Sequence, residues 1–234
     1  MGGTVALDVV YDTGSDWVVV EGIECRNCQG DKYDMNLSEG YPKKNAYTLS
    51  VRSYGSAKLE GYEYVDKVCL RADLCVDDFE YFLIEEQYGI AEPLDGIIGM
   101  ARNHAFHIAP DAGNESGPLL IDALAENGKI NSNTFSFYFQ HPEEDSWMDL
   151  GEPDLSNLKE GIELVETQMI KEDFFWGFYG AGIAIGTIEN SYRYEVVRGT
   201  DGTVFDENGD FYSIIDTGST ALVISVLYFE SLIE

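Results

Sequence analysis

The sequence predicts an all-β fold. Its 234 residues include 24 glycines, and aromatic residues make up 13% of the chain. Most apolar stretches are short, rich in β-branched or aromatic residues and bounded by turn-forming residues. Signals for helices are few, while 44% hydrophobic residues supply ample material for a core. A chain of this length can form one large domain or two smaller ones.

One tetrapeptide occurs twice, as Asp12-Thr13-Gly14-Ser15 and as Asp216-Thr217-Gly218-Ser219. A given tetrapeptide arises by chance at roughly one position in 10⁵. Strand-like runs precede the two copies at 5–11 and 211–215, and strand-like runs follow them at 17–20 and 221–224. Each copy therefore predicts a tight turn between two strands, in which a carboxylate lies beside a glycine that permits close backbone approach.

Two such turns that face each other bring Asp12 and Asp216 together. Carboxylates about 3 Å apart cannot both ionise, so the pair holds one proton. One carboxylate can then take a proton from a water molecule while the other donates a proton to a carbonyl oxygen. This chemistry hydrolyses an amide without a metal, a serine nucleophile or a cysteine nucleophile.

At these residues the chain resembles the pepsin-like aspartic proteases. Other segments resemble that family in the same order along the chain: the tip of a flap hairpin at 53–56, a hydrophobic-hydrophobic-Gly segment at 95–101, a helix at 118–130 and a strand at 134–138. The resemblance implies a bilobal, all-β fold and an aspartic endopeptidase.

The resemblance also implies the site residues. Asp12 and Asp216 are the catalytic pair. The threonines brace the two loops and the serines hydrogen-bond the carboxylates, so the supporting residues are Thr13, Gly14, Ser15, Thr217, Gly218 and Ser219. The flap residues that contact the substrate backbone are Tyr54, Gly55 and Ser56.

By the same resemblance, residues 1–154 form a nearly complete N-terminal lobe and residues 155–234 a partial C-terminal lobe. We therefore expect a family member that lacks both ends, including the second hydrophobic-hydrophobic-Gly segment. Many relatives carry a tryptophan seven residues after the first aspartate, where it anchors the flap tyrosine. That position is Val19 here, and the nearest tryptophan is Trp17, on the same strand face if alternation holds. The anchoring of the flap is left open.

Local signals predict further elements. Residues 118–127 predict a helix, because a proline stands near its start, apolar residues recur on one face and Gly128 follows it. The acidic stretch 78–93 predicts a strand and a surface turn, and 151–154 predicts the turn between lobes. Runs at 174–179 and 182–186 predict neighbouring strands, and turns at 200–202 and 207–210 precede the second motif.

The formal net charge of −29 excludes some function classes. Binding of nucleic acid needs lysines and arginines that are scarce here, and anionic membrane surfaces would repel the chain. Simple solubility and operation in an acidic compartment both explain the charge. No stretch is long and apolar enough to insert into a membrane. The expected partner is an extended polypeptide substrate, and the expected state is a monomer.

The four cysteines Cys25, Cys28, Cys69 and Cys75 allow three disulfide pairings. The spacing of Cys25 and Cys28 also occurs in zinc and redox sites, but no second close pair and no nearby histidine accompany it. The resemblance favours the local disulfides Cys25–Cys28 and Cys69–Cys75. Glycosylation sequons at 36–38 and 114–116 favour a secretory route, with a lysosomal, vacuolar or extracellular destination.

The sequence therefore predicts an endopeptidase that works at acidic pH with no cofactor and no metal. The acidic clusters at 85–86 and 143–145 lack the spacing of a calcium loop, and the histidines have no convincing partners in sequence. Two alternatives stay open: a protein with the same fold that binds without cleaving, and a fragment with no independent function.

Overall fold

The computed structural model describes residues 1–3, 5–43, 49–55, 57–90, 93–102, 116–141, 143–158, 161–171, 174–180, 182–186, 191–195 and 211–224. Several predicted features lie outside these residues. They are the flap residue Ser56, the asparagine of the sequon at 114–116, and the turns at 200–202 and 207–210.

Seven strands form the main sheet: β1 (Val9–Asp12), β2 (Val18–Arg26), β3 (Tyr41–Pro42), β4 (Ser50–Ser53), β5 (Lys58–Arg71), β6 (Leu74–Tyr88) and β7 (Gly96–Gly99). Their order is β1-β7-β2-β6-β5-β3, and β4 pairs with the beginning of β5. β7 runs parallel to β1 and antiparallel to β2. It therefore lies between the strand that ends at Asp12 and the strand that follows the first motif.

The segment that follows the first motif shows the alternation that the sequence predicts. Val18 and Val20 face one hydrophobic cluster, whereas Trp17 and Val19 face another, and each of the four side chains is at most 3% exposed. The alternation places Trp17 and Val19 on one face, as expected for side chains two residues apart in a strand. The beginning of β2 is thus buried on both faces, and it follows the first motif closely in the chain.

A long hairpin of β5 and β6 extends across the sheet, and Cys69 lies opposite Cys75 close to its turn. The strand expected within 78–93 is confirmed, although β6 already begins at Leu74. It ends before Gly89, whose φ of +92° belongs to the left-handed region that glycine adopts most easily.

One α-helix follows the sheet, α1 (Leu120–Glu126), inside the predicted range of 118–127. Leu120 and Leu124 are fully buried, and Gly128 ends the segment with a φ of +65°. Two short strands come next, β8 (Phe135–Tyr138) and β9 (Trp147–Leu150), which pair with each other. In the described part of the chain, no helix is long and apolar enough to cross a membrane.

The later residues contain β10 (Gly177–Gly180), β11 (Gly182–Gly186), β12 (Ser191–Glu195) and β13 (Phe211–Ile214). β10 pairs with β13, and β11 pairs with β12. The sequence prediction that the runs at 174–179 and 182–186 neighbour each other is therefore wrong for the described strands. Alternation indicates that a strand exists, but it does not identify the strand's partner.

The strand predicted at 221–224 is also absent: these residues are irregular in structure. The corresponding segment after the first motif becomes β2 because β6 and β7 pair with it on both sides. No strand in the described part of the chain pairs with 221–224 in this way. A strand-like sequence without a pairing partner does not make a strand.

Candidate active site

The first motif forms a loop at the end of β1, and the end of β7 with the two residues after it packs against and hydrogen-bonds that loop. The backbone N–H of Met100 donates to the carbonyl oxygen of Asp12 at 2.7 Å, and that of Ala101 donates to Ser15 at 2.8 Å. Gly99 packs directly on the backbone of Asp16, where an added Cβ would lie 2.4 Å from its carbonyl carbon. The loop is buried as a result, and Asp12 is only 7% exposed.

Each motif fixes its own carboxylate by the same two hydrogen bonds. In the first loop the Asp12 carboxylate accepts from the backbone N–H of Gly14 at 2.8 Å and from the hydroxyl of Ser15 at 2.6 Å. In the second loop the Asp216 carboxylate accepts the equivalent pair at 2.9 and 2.8 Å, from Gly218 and Ser219. The repeated sequence therefore produces a repeated local geometry.

The two loops meet through their threonines. The hydroxyl of Thr13 accepts from the backbone N–H of Thr217 at 2.9 Å and donates to the carbonyl oxygen of Ile215 at 2.8 Å. The hydroxyl of Thr217 accepts from the N–H of Thr13 at 3.0 Å and donates to Tyr11 at 2.6 Å. Both hydroxyls thus act as donor and acceptor at once, and four hydrogen bonds lock the loops together.

This arrangement brings the two predicted aspartates side by side. Each carboxyl packs on the glycine of the other loop, since a Cβ added to Gly14 would lie 2.6 Å from Asp216 Oδ1 and one added to Gly218 would lie 2.4 Å from Asp12 Oδ1. The two carboxyls are therefore close enough to share a hydrogen bond, and this contact raises the pKa of Asp12. Two carboxyls can share a hydrogen bond only if one of them carries a proton.

The surroundings of Asp12 favour its protonated form. Burial is the main cause that raises the pKa of Asp12, and the hydrogen bond and negative charge of Asp216 raise it further. The hydrogen bonds from Ser15 and Gly14 oppose the increase without cancelling it. The second loop is more open, since Gly218 and Ser219 are exposed. The pair therefore has a buried side at Asp12 and an open side at Asp216.

Trp176 connects both loops through a ring of hydrogen bonds. Its indole N–H donates to the carbonyl oxygen of Met100 at 2.8 Å, and Met100 in turn donates to Asp12. Its carbonyl oxygen accepts from the N–H of Ile215 at 3.1 Å, and Ile215 in turn accepts from Thr13. Nothing in the sequence around 176 indicates this role, because all four partners are distant in the chain.

Comparison with known proteins agrees with this geometry. The profile of the family described as eukaryotic aspartyl protease matches residues 3–234, which is nearly the whole chain. The chain belongs to the eukaryotic aspartyl protease family. A search of curated proteins found no significant match.

Among solved structures, the chain is similar to the aspartic proteinase from Irpex lacteus. The two are 19% identical with a TM-score of 0.67, and the alignment covers 96% of this chain and 59% of the other. At this identity the similarity shows the fold, which is the all-β, pepsin-like fold that the sequence predicts. The chain spans 59% of the length of the structure that it matches.

The predicted flap forms a hairpin in the structure. β4 and β5 pair in antiparallel register, and Tyr54 and Ala57 exchange backbone hydrogen bonds of 2.8 and 3.2 Å across the turn. Gly55 at this turn is exposed, with open space around its Cα. Tyr54 packs against the cluster that contains Trp17 and Val19. Burial, followed by the negative charges of Asp16 and Asp12, raises the pKa of Tyr54, which keeps its hydroxyl protonated.

The cysteines form the two local disulfides that the resemblance implied, Cys25–Cys28 and Cys69–Cys75. The first lies at the end of β2, and the second closes the turn of the β5–β6 hairpin. Neither disulfide leaves a free thiol, so the cysteines serve structure and not metal binding. In the described residues, no group of three or more His, Cys, Asp or Glu side chains is placed to hold a metal ion.

Two charged residues near the site were missed by the sequence analysis. Asp16 is 8% exposed and accepts a hydrogen bond from the backbone N–H of Gly117 at 2.8 Å. Burial is the main cause that raises its pKa. Arg52 is 3% exposed and pairs with Glu63. Both residue types are usually exposed, so sequence gave no reason to place them inside.

Proposed function

We propose that this chain carries the catalytic centre of an aspartic endopeptidase, in which Asp12 and Asp216 activate water to cleave peptide bonds. The observation that carries the proposal is the pair of carboxyls held side by side by matched hydrogen bonds in two interlocked loops. The environment of Asp12 retains a proton on the pair, which general acid–base catalysis requires.

The reaction follows from this protonation state. A water molecule between the carboxyls loses a proton to the ionised carboxylate as its oxygen attacks the peptide carbonyl carbon. The protonated carboxyl donates its proton to the carbonyl oxygen, which gives a tetrahedral diol. The C–N bond then breaks as the nitrogen takes the proton from the carboxyl that received it, while a diol hydroxyl gives its proton to the other carboxylate. The products are a carboxylic acid and an amine, and the pair again holds one proton.

The substrate would be an extended polypeptide lying between the carboxyl pair and the flap. The exposed backbone of Gly55 at the flap turn can pair with it like an added strand, beside the side chain of Tyr54, and Ser56 belongs to the same proposed contact. Thr13, Gly14, Ser15, Thr217, Gly218 and Ser219 position the carboxyls and do not contact the substrate in this proposal.

Activity should be confined to acidic pH. The catalytic state needs one proton on the pair, and burial keeps that proton on Asp12 to a higher pH than an exposed aspartate allows. As pH rises through the upper pKa of the pair, the proton is lost and cleavage should stop. An acidic optimum also suits a chain with a net charge of −29, since protonation of its carboxylates reduces self-repulsion.

The test measures cleavage of an unfolded protein at acidic and neutral pH, with and without pepstatin. We expect cleavage at acidic pH that pepstatin inhibits and that Asp12→Asn or Asp216→Asn abolishes. Asp73→Asn is the matched control, because this aspartate is 74% exposed and pairs only with Arg71 at the surface. Cleavage that survives Asp12→Asn would contradict the assignment. Binding of pepstatin without any cleavage would instead indicate an inactive binding protein.

We further propose a monomer of two lobes, 1–154 and 155–234, that enters the secretory pathway. Two disulfides suit an oxidising compartment. Asn36 is exposed, and its side-chain amide donates to Asp34 at 2.9 Å, a bond that an attached sugar can leave intact because the amide keeps one N–H. Treatment of the secreted protein with peptide N-glycosidase should lower its mass, and Asn36→Gln should lose the same sugar.

A further inference from the structure

The flap strand β4 carries a buried arginine that points into the sheet and not toward solvent. Arg52 is 3% exposed, and its guanidinium carbon lies 4.4 Å from the ring centre of Trp17 and 4.8 Å from that of Phe82. The two rings meet edge to face at 6.3 Å. A cation in contact with two aromatic rings and shielded from water is held more strongly than one at the surface.

The charge of Arg52 is balanced by acidic groups on two other elements. Its Nη2 donates to Glu63 Oε1 at 2.8 Å, on β5, and the side chains of this pair are 4% and 19% exposed. Its positive charge also lowers the pKa of Asp16, against the larger effect of burial. A buried charge of this kind is costly unless it is paired. Arg52 therefore has a defined place, set by both neighbours.

One ring and one acid next to Arg52, those of Trp17 and Asp16, belong to the segment that carries Asp12. Asp16 and Trp17 follow the first motif directly. Asp16 accepts a hydrogen bond from Gly117, and the backbone of Gly117 packs on the indole, where an added Cβ would lie 2.4 Å from Cδ2. Trp17 is thereby fixed relative to Asp12. Any contact from the flap to Trp17 is a contact to the catalytic loop.

The position that would hold an anchoring tryptophan by family resemblance is Val19, which is 1% exposed and lies in the same cluster as Trp17 and Tyr54. A valine offers neither a ring N–H nor an aromatic face to the flap. Arg52 stands two residues before Tyr54, so both project from the same face of the hairpin. The cation on Trp17 supplies the link between flap and catalytic loop that Val19 cannot supply.

We propose that Arg52 anchors the flap hairpin through its contact with Trp17 and its ion pair with Glu63, and so positions Tyr54 over the carboxyl pair. Arg52 is a positioning residue: it is buried under the flap and acts on substrate through the hairpin. The consequence for substrate binding rests on the proposed function, whereas the anchoring itself is a property of the free protein.

The test compares Arg52→Met with the matched control Arg26→Met. Methionine keeps the length and apolar character of the side chain but removes the charge. Arg26 lies on β2, its side chain is 69% exposed, and it pairs with Glu86 at the surface. Hydrogen exchange of the β4 and β5 amides near the flap turn should accelerate about tenfold in Arg52→Met. The same amides in Arg26→Met, and those of β7 in both variants, should be unchanged.

Kinetics give a second readout. Arg52→Met should raise KM several-fold while kcat changes by less than about twofold, since the carboxyl pair keeps its own supports. Arg52→Lys keeps the charge and should restore part of the loss. Unchanged exchange in the flap of Arg52→Met would overturn the proposal, whatever the kinetics show. If the parent protein cleaves no substrate, the proposed function is contradicted. The hydrogen-exchange comparison would still test the anchoring by Arg52, because it needs no activity.

A second variant decides the question if Arg52→Met does not fold. Glu63→Gln keeps a hydrogen-bond acceptor for Arg52 but removes the opposite charge, and Glu63 is partly exposed, so the fold should tolerate it. Flap exchange should rise several-fold in Glu63→Gln relative to the parent protein. Flap exchange equal to that of the parent would count against the anchor as we describe it.

Discussion

Thr13 and Thr217 each donate a backbone N–H to the hydroxyl of the other, at 3.0 and 2.9 Å. The two residues are 204 positions apart in the chain. Their hydroxyls also donate to the carbonyl oxygens of Ile215 and Tyr11, so each hydroxyl serves as donor and acceptor across the contact. This reciprocal pair sets the distance between the loops and, with it, the distance between the carboxyls.

Thr13→Val should separate the loops. Valine has nearly the same shape but cannot accept from Thr217 or donate to Ile215, which leaves two polar backbone groups without partners. Each such loss costs about 1–3 kcal/mol where water is excluded, and Thr13 is 3% exposed. Urea unfolding should therefore show a loss of about 2–4 kcal/mol. Thr13→Ser keeps the hydroxyl and should lose much less; equal losses in the two variants would contradict this account.

Gly14→Ala should impair catalysis more than stability. The new methyl group would lie 2.6 Å from Asp216 Oδ1 and must push the carboxyls apart. A displacement of about 1 Å in a catalytic group can lower the rate by about 10²-fold. The measurement is kcat/KM on a peptide substrate.

The control for this variant is Gly128→Ala. Gly128 has a φ of +65° and open space around it, far from the carboxyl pair. Alanine there should cost roughly 1–2 kcal/mol of stability through backbone strain with no change in kcat/KM. If both variants lose activity in proportion to stability, the contact between Gly14 and Asp216 does not matter for catalysis.

Stability should fall as pH rises above about 4.5. Glu21 is 1% exposed, and burial is the main cause that raises its pKa above the ordinary 4.5. Its folded form therefore binds a proton more tightly than the unfolded chain does. The resulting stabilisation is complete below the ordinary pKa and is lost as pH rises through the raised pKa. Asp12 and Asp16 act with the same sign.

Glu21→Gln tests this directly, because glutamine cannot ionise. Urea unfolding from about pH 4 to pH 7 should give a flatter slope in the variant, by at most ~1.4 kcal/mol per pH unit. Glu39→Gln, at an exposed glutamate outside the sheet, is the matched control and should keep the slope of the parent. A parent whose stability increases across this range would show that other groups dominate.

Trp176→Phe should weaken the support of both loops. Phenylalanine keeps a ring that can pack on Phe135, whose centre lies 5.5 Å from that of Trp176, but it loses the N–H donated to Met100. Stability should decrease by about 1 kcal/mol, and the pH dependence of kcat should shift because the carboxyl pair is less firmly held. Trp147→Phe, at a half-exposed ring stacked on Tyr138, should leave the pH dependence unchanged.

The two loops could be predicted from sequence because their interactions are local. Asp, Gly and Ser within four residues supply both hydrogen bonds to each carboxylate, so the motif contains its own geometry. The pairing of the loops followed from the repetition and from family resemblance. The segment that forms β7 was predicted from family resemblance, because it is a hydrophobic pair followed by a glycine and occurs in the family's order along the chain.

The anchor and the ring of hydrogen bonds could not be predicted in this way. Arginine is usually a surface residue, so its occurrence in a strand predicts exposure. Arg52 is buried because Trp17, Phe82 and Glu63 surround it. Trp176 lies in a run that predicted only a strand, yet its indole N–H donates to the carbonyl oxygen of Met100. The partners of β10 and the absence of a strand at 221–224 likewise depend on what packs beside them, which no local pattern contains.

The interlocked threonines bear on how this protein is made. The segment around Thr13 leaves the ribosome long before the segment around Thr217. The hydrogen bonds between the two threonines therefore cannot form until both segments have emerged. Half of a carboxyl pair cannot hydrolyse a peptide bond. The proposed catalytic pair can therefore form only after the segment around Thr217 has left the ribosome, and the proposed activity cannot precede that point of synthesis.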